Sequence, residues 1–185
     1  LCNKFIKFSS FKKMLDYNNC SLCPRNCRVN RNEKKGYCLV SNEVYISAYL
    51  KHFGEEPPIS GDCGSGTVFF SGCSLRCVFC QNYQISWLLE GNKYSINSLA
   101  DIFLDLQNQG AHNINLVTPT HYAISIIAAL EIAKTNGLRI PIVYNSSGFD
   151  AIETLEMIDS FIDVYLPDFK FIDAQLSKKY CNSEE

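Results

Sequence analysis

Between Thr67 and Leu166 short apolar runs alternate with helix-length segments, and that pattern admits few folds. Strand-like runs at Thr67–Phe70, Asn113–Val117, Ile140–Tyr144 and Phe161–Leu166 are separated by three helix-like stretches: Ser95 to Gln109, about His121 to Asn136, and Asp150–Asp159. Ser95 is a good N-cap, and Gly110 and Gly137 stand where helices end on a left-handed glycine. Strands alternating with such helices imply right-handed βαβ units on a parallel sheet. Four strands are too few to close an eight-stranded barrel, so the expected fold class is α/β, a partial (βα) barrel or open sheet of about four βα units. In either form ligands bind at the C-terminal strand ends.

The residues ahead of this domain read differently. Residues 1–19 form a Lys/Phe/Asn-rich lead-in, and residues 20–38 hold four cysteines among Pro, Arg, Asn and Gly with no apolar period. Such a segment needs a cross-link or a metal to fold. A strand at Val44–Leu50 and a turn-rich loop from Gly54 to Gly61 follow. We therefore expect a lead-in and small Cys-rich appendage over 1–43 and the main domain over 44–185. With no Met at position 1 and a helix-like segment running up to Lys179 near its end, the chain is expected to be a piece of a longer one.

Seventeen basic and nineteen acidic residues give a net charge of −2, with no basic run to serve as a nucleic-acid footprint. No signal-peptide run and no membrane-length apolar stretch occurs, so a cytoplasmic protein without nucleic-acid or membrane partners is expected. Ten cysteines are many for a reducing compartment and are read first as ligands.

The segment Ser71-Gly72-Cys73-Ser74-Leu75-Arg76-Cys77-Val78-Phe79-Cys80-Gln81-Asn82 sets three thiols at C-x3-C-x2-C spacing just past the first strand of the domain. Three thiolates on one loop can hold three corners of a cubane cluster and leave one iron open, because no fourth cysteine is supplied locally. A zinc knuckle completed by Cys63 or a distant cysteine is the bland alternative. Cys63 reads as a bystander, and Cys2 and Cys181 lie outside every pattern.

This spacing, with Phe79 before the last cysteine, resembles the radical S-adenosylmethionine (SAM) superfamily. The resemblance implies a [4Fe–4S] cluster on Cys73, Cys77 and Cys80, SAM on the open iron, and one-electron cleavage to a 5′-deoxyadenosyl radical that abstracts hydrogen. Phe53-Gly54-Glu55-Glu56-Pro57, Gly66 to Cys73, Asn113 to His121 and Tyr165-Leu166-Pro167-Asp168-Phe169-Lys170 resemble the activating enzymes of glycyl-radical enzymes, such as pyruvate formate-lyase activating enzyme. The nearer likeness is to uncharacterised relatives with an N-terminal cysteine cluster, and it runs from about Cys20 to Tyr180. It implies an oxidoreductase with an electron donor such as flavodoxin or ferredoxin and, as substrate, either a glycyl-radical protein or a small molecule.

By the same resemblance Asp168 and Lys170 match a D-x-K element that contacts SAM, and Asn145 and Ser146 fall where those enzymes carry Asp-Thr. With Phe79 and Asn82 these are the cofactor-binding candidates; no catalytic side chain beyond the cluster is assigned. The Gly-Gly-Glu element that cradles the SAM amino group is replaced by Thr118-Pro119-Thr120-His121. Read without the resemblance, Asp168 is a turn or cap residue, Lys170 a solvated cation, His121 a helix cap or polar edge as readily as a substrate contact, and Asn145 to Gly148 an ordinary loop.

Cys20, Cys23, Cys27 and Cys38 are a complete tetrahedral set for zinc or for a second [4Fe–4S] cluster, and Arg25, Arg28 and Arg31 stand ready to offset thiolate charge. The competing functional class is a non-catalytic iron–sulfur or zinc-binding module, which would not bind SAM.

Overall fold

The computed structural model describes residues 15–183. One six-stranded sheet in the order β3-β1-β2-β4-β5-β6 organises it: β1 Val44–His52, β2 Ser65–Phe70, β3 Asn92–Tyr94, β4 Ile114–Val117, β5 Ile142–Ser146 and β6 Val164–Pro167. Strands β2, β4, β5 and β6 run parallel, as the alternation requires, while β1 and β3 join antiparallel beyond β2. The fold is thus the expected α/β partial barrel. The antiparallel β3 and the short helices α1 (Pro57–Ser60) and α2 (Tyr83–Ser86) were not legible in the sequence.

Two thirteen-residue helices, α3 (Ile96–Asn108) and α4 (Ala123–Thr135), cover one sheet face, followed by α5 (Ile152–Ile158) and α6 (Ala174–Cys181). Helix α3 starts where Ser95 accepts a hydrogen bond from the Ser98 amide at 3.1 Å, a cap worth about 1 kcal/mol. It ends before Gly110, whose φ of +79° a side chain would resist. Its stripe Leu99, Ile102, Phe103 and Leu106 is buried with Ile126, Ala129, Leu130 and Ala133 of α4 against Val68, Phe70, Ile114, Leu116 and Ile142. Val68 and Ile114 point to these helices, so their register neighbours Phe69 and Val117 point to the opposite, concave face.

The helix expected from His121 begins later, because Thr120–Tyr122 form a 3-10 turn that leads into α4. The strand expected at Ile140–Tyr144 is shifted to Ile142–Ser146, because Leu138 ends the helical packing and Pro141 has no amide to pair. Residues 15–43 carry no helix or strand and lie over the start of α4, over α5 and over the loop after β2: Tyr17 pairs with Ser125 at 2.8 Å, and Thr154 donates to the Leu22 carbonyl at 2.8 Å. Among the described residues no helix is long and apolar enough to cross a membrane.

Candidate functional site

The C-terminal ends of β2, β4 and β5 bring Phe69, Val117 and Asn145 into register along the concave face. Above them opens a cleft of about 610 Å³. Its wall holds Cys73, Cys77, Cys80, Phe79 and Asn82 from the loop after β2, Asn145 and Ser146 from β5, and Asp168 and Lys170 from the end of β6. The nine residues singled out in the sequence for cluster and SAM therefore share one cleft. His52, Glu55 and Thr118 line it too.

The loop that carries the three thiols is shaped by its backbone. Gly72 turns at φ +85°, where a Cβ would meet the Cys38 carbonyl oxygen at 2.6 Å and Val40 at 2.9 Å. Arg76 sits in the left-handed region at φ +56°, which aims the amides of Leu75 and Arg76 at the Cys73 sulfur, 3.4 and 3.5 Å away. Ser86 donates to the Cys80 sulfur at 3.2 Å. Amide and hydroxyl donors on sulfur are how proteins stabilise thiolates and tune iron–sulfur clusters.

Cys73 and Cys77 are buried, and burial pushes both thiols up, Cys77 to about 12. Metal must therefore displace protons from them, and binding weakens as pH falls. Among the described residues no group of three or more His, Cys, Asp and Glu side chains stands as a closed metal cage. The three thiols line the same cleft without being drawn together into a metal-holding group. The donor set of three soft sulfurs, hydrogen-bonded and facing an open cleft, fits an iron–sulfur cluster with one iron free of protein ligand.

Lys170 pairs with Asp168 at 2.7 Å. Burial opposes the lysine's charge, but the hydrogen bond and charge of Asp168 outweigh it and hold the ammonium above its usual range. The pair brings both charges to the mouth of the cleft, where a zwitterionic amino-acid group could be met by opposite charges. Ser146 donates at 2.5 Å to Asp150, which also accepts from Thr120 at 2.5 Å and Tyr144 at 3.0 Å. Asp150 thus ties the ends of β4 and β5 together below the cleft.

Thr118 closes β4 at φ +56°, a rare conformation for a β-branched residue and one that costs roughly 1–2 kcal/mol. Such strain concentrates at ligand sites. Glu55, named in the sequence only within a family-like motif and a turn-rich loop, lines the cleft too; burial pushes its carboxyl up despite the nearby His52.

His121 lines no part of the cleft. It is 1% exposed, its Nε2 lies 3.0 Å from the Ser71 carbonyl oxygen, and its Nδ1 has no partner. Facing a carbonyl, Nε2 carries the proton of the neutral ring. Burial and then the charge of Arg31 push its pKa down to about 3. Between the ordinary 6.5 and that value the unfolded chain binds a proton that the folded chain refuses, so stability is full above pH 6.5 and declines below it, by up to about 1.4 kcal/mol per pH unit. His121→Gln is expected to flatten the fall of the urea midpoint between pH 7 and 5. An unchanged slope would mean that other groups govern it.

One cysteine outside the expected patterns proves close to the site. Cys181, at the end of α6 and 1% exposed, holds its sulfur 3.2 Å from that of Cys77. Its distance of 104 residues along the chain hid it from spacing arguments. Cys63 is exposed and unpaired, and Cys2 lies outside the described residues.

A parallel βα sheet that sets three thiols at its C-terminal edge has its cleft where βα folds place their ligand sites. The model of the radical SAM superfamily matches residues 67–182, and the chain belongs to that superfamily, whose members bind a [4Fe–4S] cluster and SAM. It is 34% identical over 164 residues to a protein of Methanocaldococcus jannaschii described as uncharacterized, an alignment covering 84% of this chain and 46% of the relative. The chain thus spans about half the length of the curated relative it matches. No solved structure matches it significantly.

Proposed function

We propose that this chain binds a [4Fe–4S] cluster through Cys73, Cys77 and Cys80 and presents SAM to it for reductive cleavage, with a glycine of a glycyl-radical protein as the hydrogen donor and flavodoxin or ferredoxin as the electron source. The observation that carries the reading is the meeting of those three thiols with Asn145, Ser146, Asp168 and Lys170 around one cleft. When bound, the cluster supplies the electron that breaks the SAM sulfonium, yielding methionine and the 5′-deoxyadenosyl radical. The chain's own residues hold and shield. Asp168 and Lys170 would meet the amino and carboxylate groups of the methionyl end, the Asn145 and Ser146 polar atoms would orient it, and Phe79, with 54% of its surface exposed, would cover the adenine side. The activating-enzyme likeness supports the glycyl substrate.

A second reading has its own support. Cys181 beside Cys77 supplies a fourth thiol at the loop, and four thiolates would make a closed electron-transfer or zinc centre without open iron. Electron paramagnetic resonance of the anaerobically reconstituted, reduced protein separates the two. The enzyme reading expects a [4Fe–4S]⁺ signal that shifts on adding SAM, and 5′-deoxyadenosine on turnover. A signal indifferent to SAM, or zinc in place of iron, would establish the module.

A further inference from the structure

Arg31 is fully buried and has no carboxylate partner among the described residues. A guanidinium cannot shed its proton, and leaving it uncompensated in the interior costs several kcal/mol. Its Nη1 donates to the His121 carbonyl at 2.5 Å, Nη2 to the Ser41 carbonyl, and its face meets the rings of Tyr17 and Tyr122, while Nε has no partner. The remaining neighbours are thiols: Nη1 lies 3.9 Å from the Cys20 sulfur, and Cys38 is close enough to act on its charge.

Those thiols share one segment with Cys23 and Cys27, and the four are not drawn together into a metal-holding group in this structure. Cys20, Cys23 and Cys38 are buried and Cys27 half-buried, and none is in a disulfide. The Cys20 amide donates to Val29 at 3.1 Å and Arg28 to Cys20 at 2.9 Å, closing one turn, while Gly36 to Val40 at 3.1 Å and Leu39 to Gly36 at 2.9 Å close another. The turns face each other across Gly36, where a Cβ would lie 3.2 Å from the Cys38 sulfur and 3.6 Å from that of Cys27. Three non-glycine residues take left-handed backbone here, each beside a cysteine: Asn26 and Arg28 around Cys27, and Leu39 after Cys38. Each costs on the order of 1 kcal/mol, and a segment without helix or strand has little with which to offset it.

The same segment grips the thiol loop of the cleft. Arg25 donates from Nε to the Ser74 carbonyl at 3.0 Å, from Nη2 to those of Leu75 at 3.3 Å and Cys181 at 2.8 Å, and from Nη1 to that of Asn182. Its guanidinium stacks on Tyr37 at 4.2 Å, and the Tyr37 carbonyl accepts from Arg76 at 3.5 Å.

We infer that Cys20, Cys23, Cys27 and Cys38 form a tetrathiolate site for a thiophilic metal, with Arg31 as its buried counter-cation, and that this site fixes the Cys73–Cys80 loop through Arg25. Side-chain rotamer steps would bring the four sulfurs together on the metal, and four thiolates on zinc or on a [4Fe–4S] core leave the negative charge that Arg31 lacks. The second half of the inference rests on the reading of that loop as cluster-binding.

The test begins with Cys73, Cys77 and Cys80 all replaced by alanine, so that only the second site can hold metal. Anaerobically purified, this variant is expected to retain about one zinc per chain, or about four irons with a sulfide-to-iron absorption, and to lose either when Cys23→Ser and Cys38→Ser are added. Zinc and iron contents distinguish the two occupants. A folded variant without metal overturns the site. If the triple variant does not fold, the reconstituted unsubstituted protein decides: four irons plus zinc, or eight irons, support the site, and four irons alone overturn it. Arg25→Ala is expected to leave the second metal in place while the SAM-binding cluster is stripped by chelator about tenfold faster, in the range of outer-shell losses. An unchanged stripping rate removes the coupling but not the site. Metal retained in the triple variant, together with a reduced-cluster signal in the unsubstituted protein that SAM does not shift, would uphold this site while the SAM reading fails.

Discussion

Cys77→Ala is expected to abolish the SAM-dependent spectrum and 5′-deoxyadenosine formation, whereas Cys181→Ser is expected to preserve both, although the two sulfurs lie only 3.2 Å apart. The contrast follows from what each sulfur faces. Cys77 lines the cleft opposite Asp168 and Lys170. Cys181 lies behind it at the end of α6, where its carbonyl is held by Arg25, and it does not line the cleft. As a ligand Cys77 has no substitute within its own loop; as an outer neighbour Cys181 would tune the sulfur of Cys77, and its loss should cost no more than about tenfold in cluster retention, the low end for such partners. Iron content, the shift of the reduced signal on adding SAM, and the yield of 5′-deoxyadenosine in both variants check this. Should Cys181→Ser instead create SAM sensitivity that the unsubstituted protein lacks, Cys181 is the fourth ligand and the closed-module reading prevails.

The sequence disclosed what periodicity and short spacing can encode. The four parallel strands, the Ser95 cap, the Gly110 and Gly137 stops and the thiol triplet are all local patterns, and the structure repeats them within a few residues. What stayed hidden is set by contacts between distant parts of the chain. β3 is three residues long, Asn92–Tyr94, and exists only because β1 offers it an edge. Cys181 has no neighbouring cysteine to give it a spacing. Arg25 was read as charge compensation for the thiols next to it, yet its guanidinium serves the carbonyls of Ser74 and Leu75, about fifty residues on. Arg31 took the expected role of cation among the N-terminal sulfurs. Glu55 was given no role because its local sequence reads as turn, and Thr118 was marked only as part of the segment in place of Gly-Gly-Glu, because the exposure of both to the cleft depends on how the concave face curves.

Gly148→Ala tests whether the end of β6 acts as part of the site. Gly148 turns the chain at φ +74°, and a Cβ there would overlap the Asp168 carbonyl oxygen. That carbonyl cannot withdraw freely, because the Asp168 amide donates to the Ser146 carbonyl at 2.9 Å and the Gly148 amide to the Ser146 hydroxyl at 3.1 Å. The substitution therefore adds left-handed strain of roughly 1–2 kcal/mol to an overlap of roughly 1–3 kcal/mol, and the second part is relieved only by parting the ends of β5 and β6. With about 2–4 °C lost per kcal/mol in a chain of this size, a fall in Tm of roughly 5–15 °C is expected. Asp168 and Lys170 move with the strand end, so SAM affinity should fall by on the order of 10- to 100-fold, as misplacement of positioning groups commonly costs. Gly137→Ala is the control. Gly137 also has positive φ, +105°, but a Cβ there meets nothing within 4 Å, so strain is the whole effect. Its Tm should fall by only a few degrees, with SAM affinity intact. Equal losses of affinity in the two variants would mean that general destabilisation, and not the position of Asp168 and Lys170, governs SAM binding.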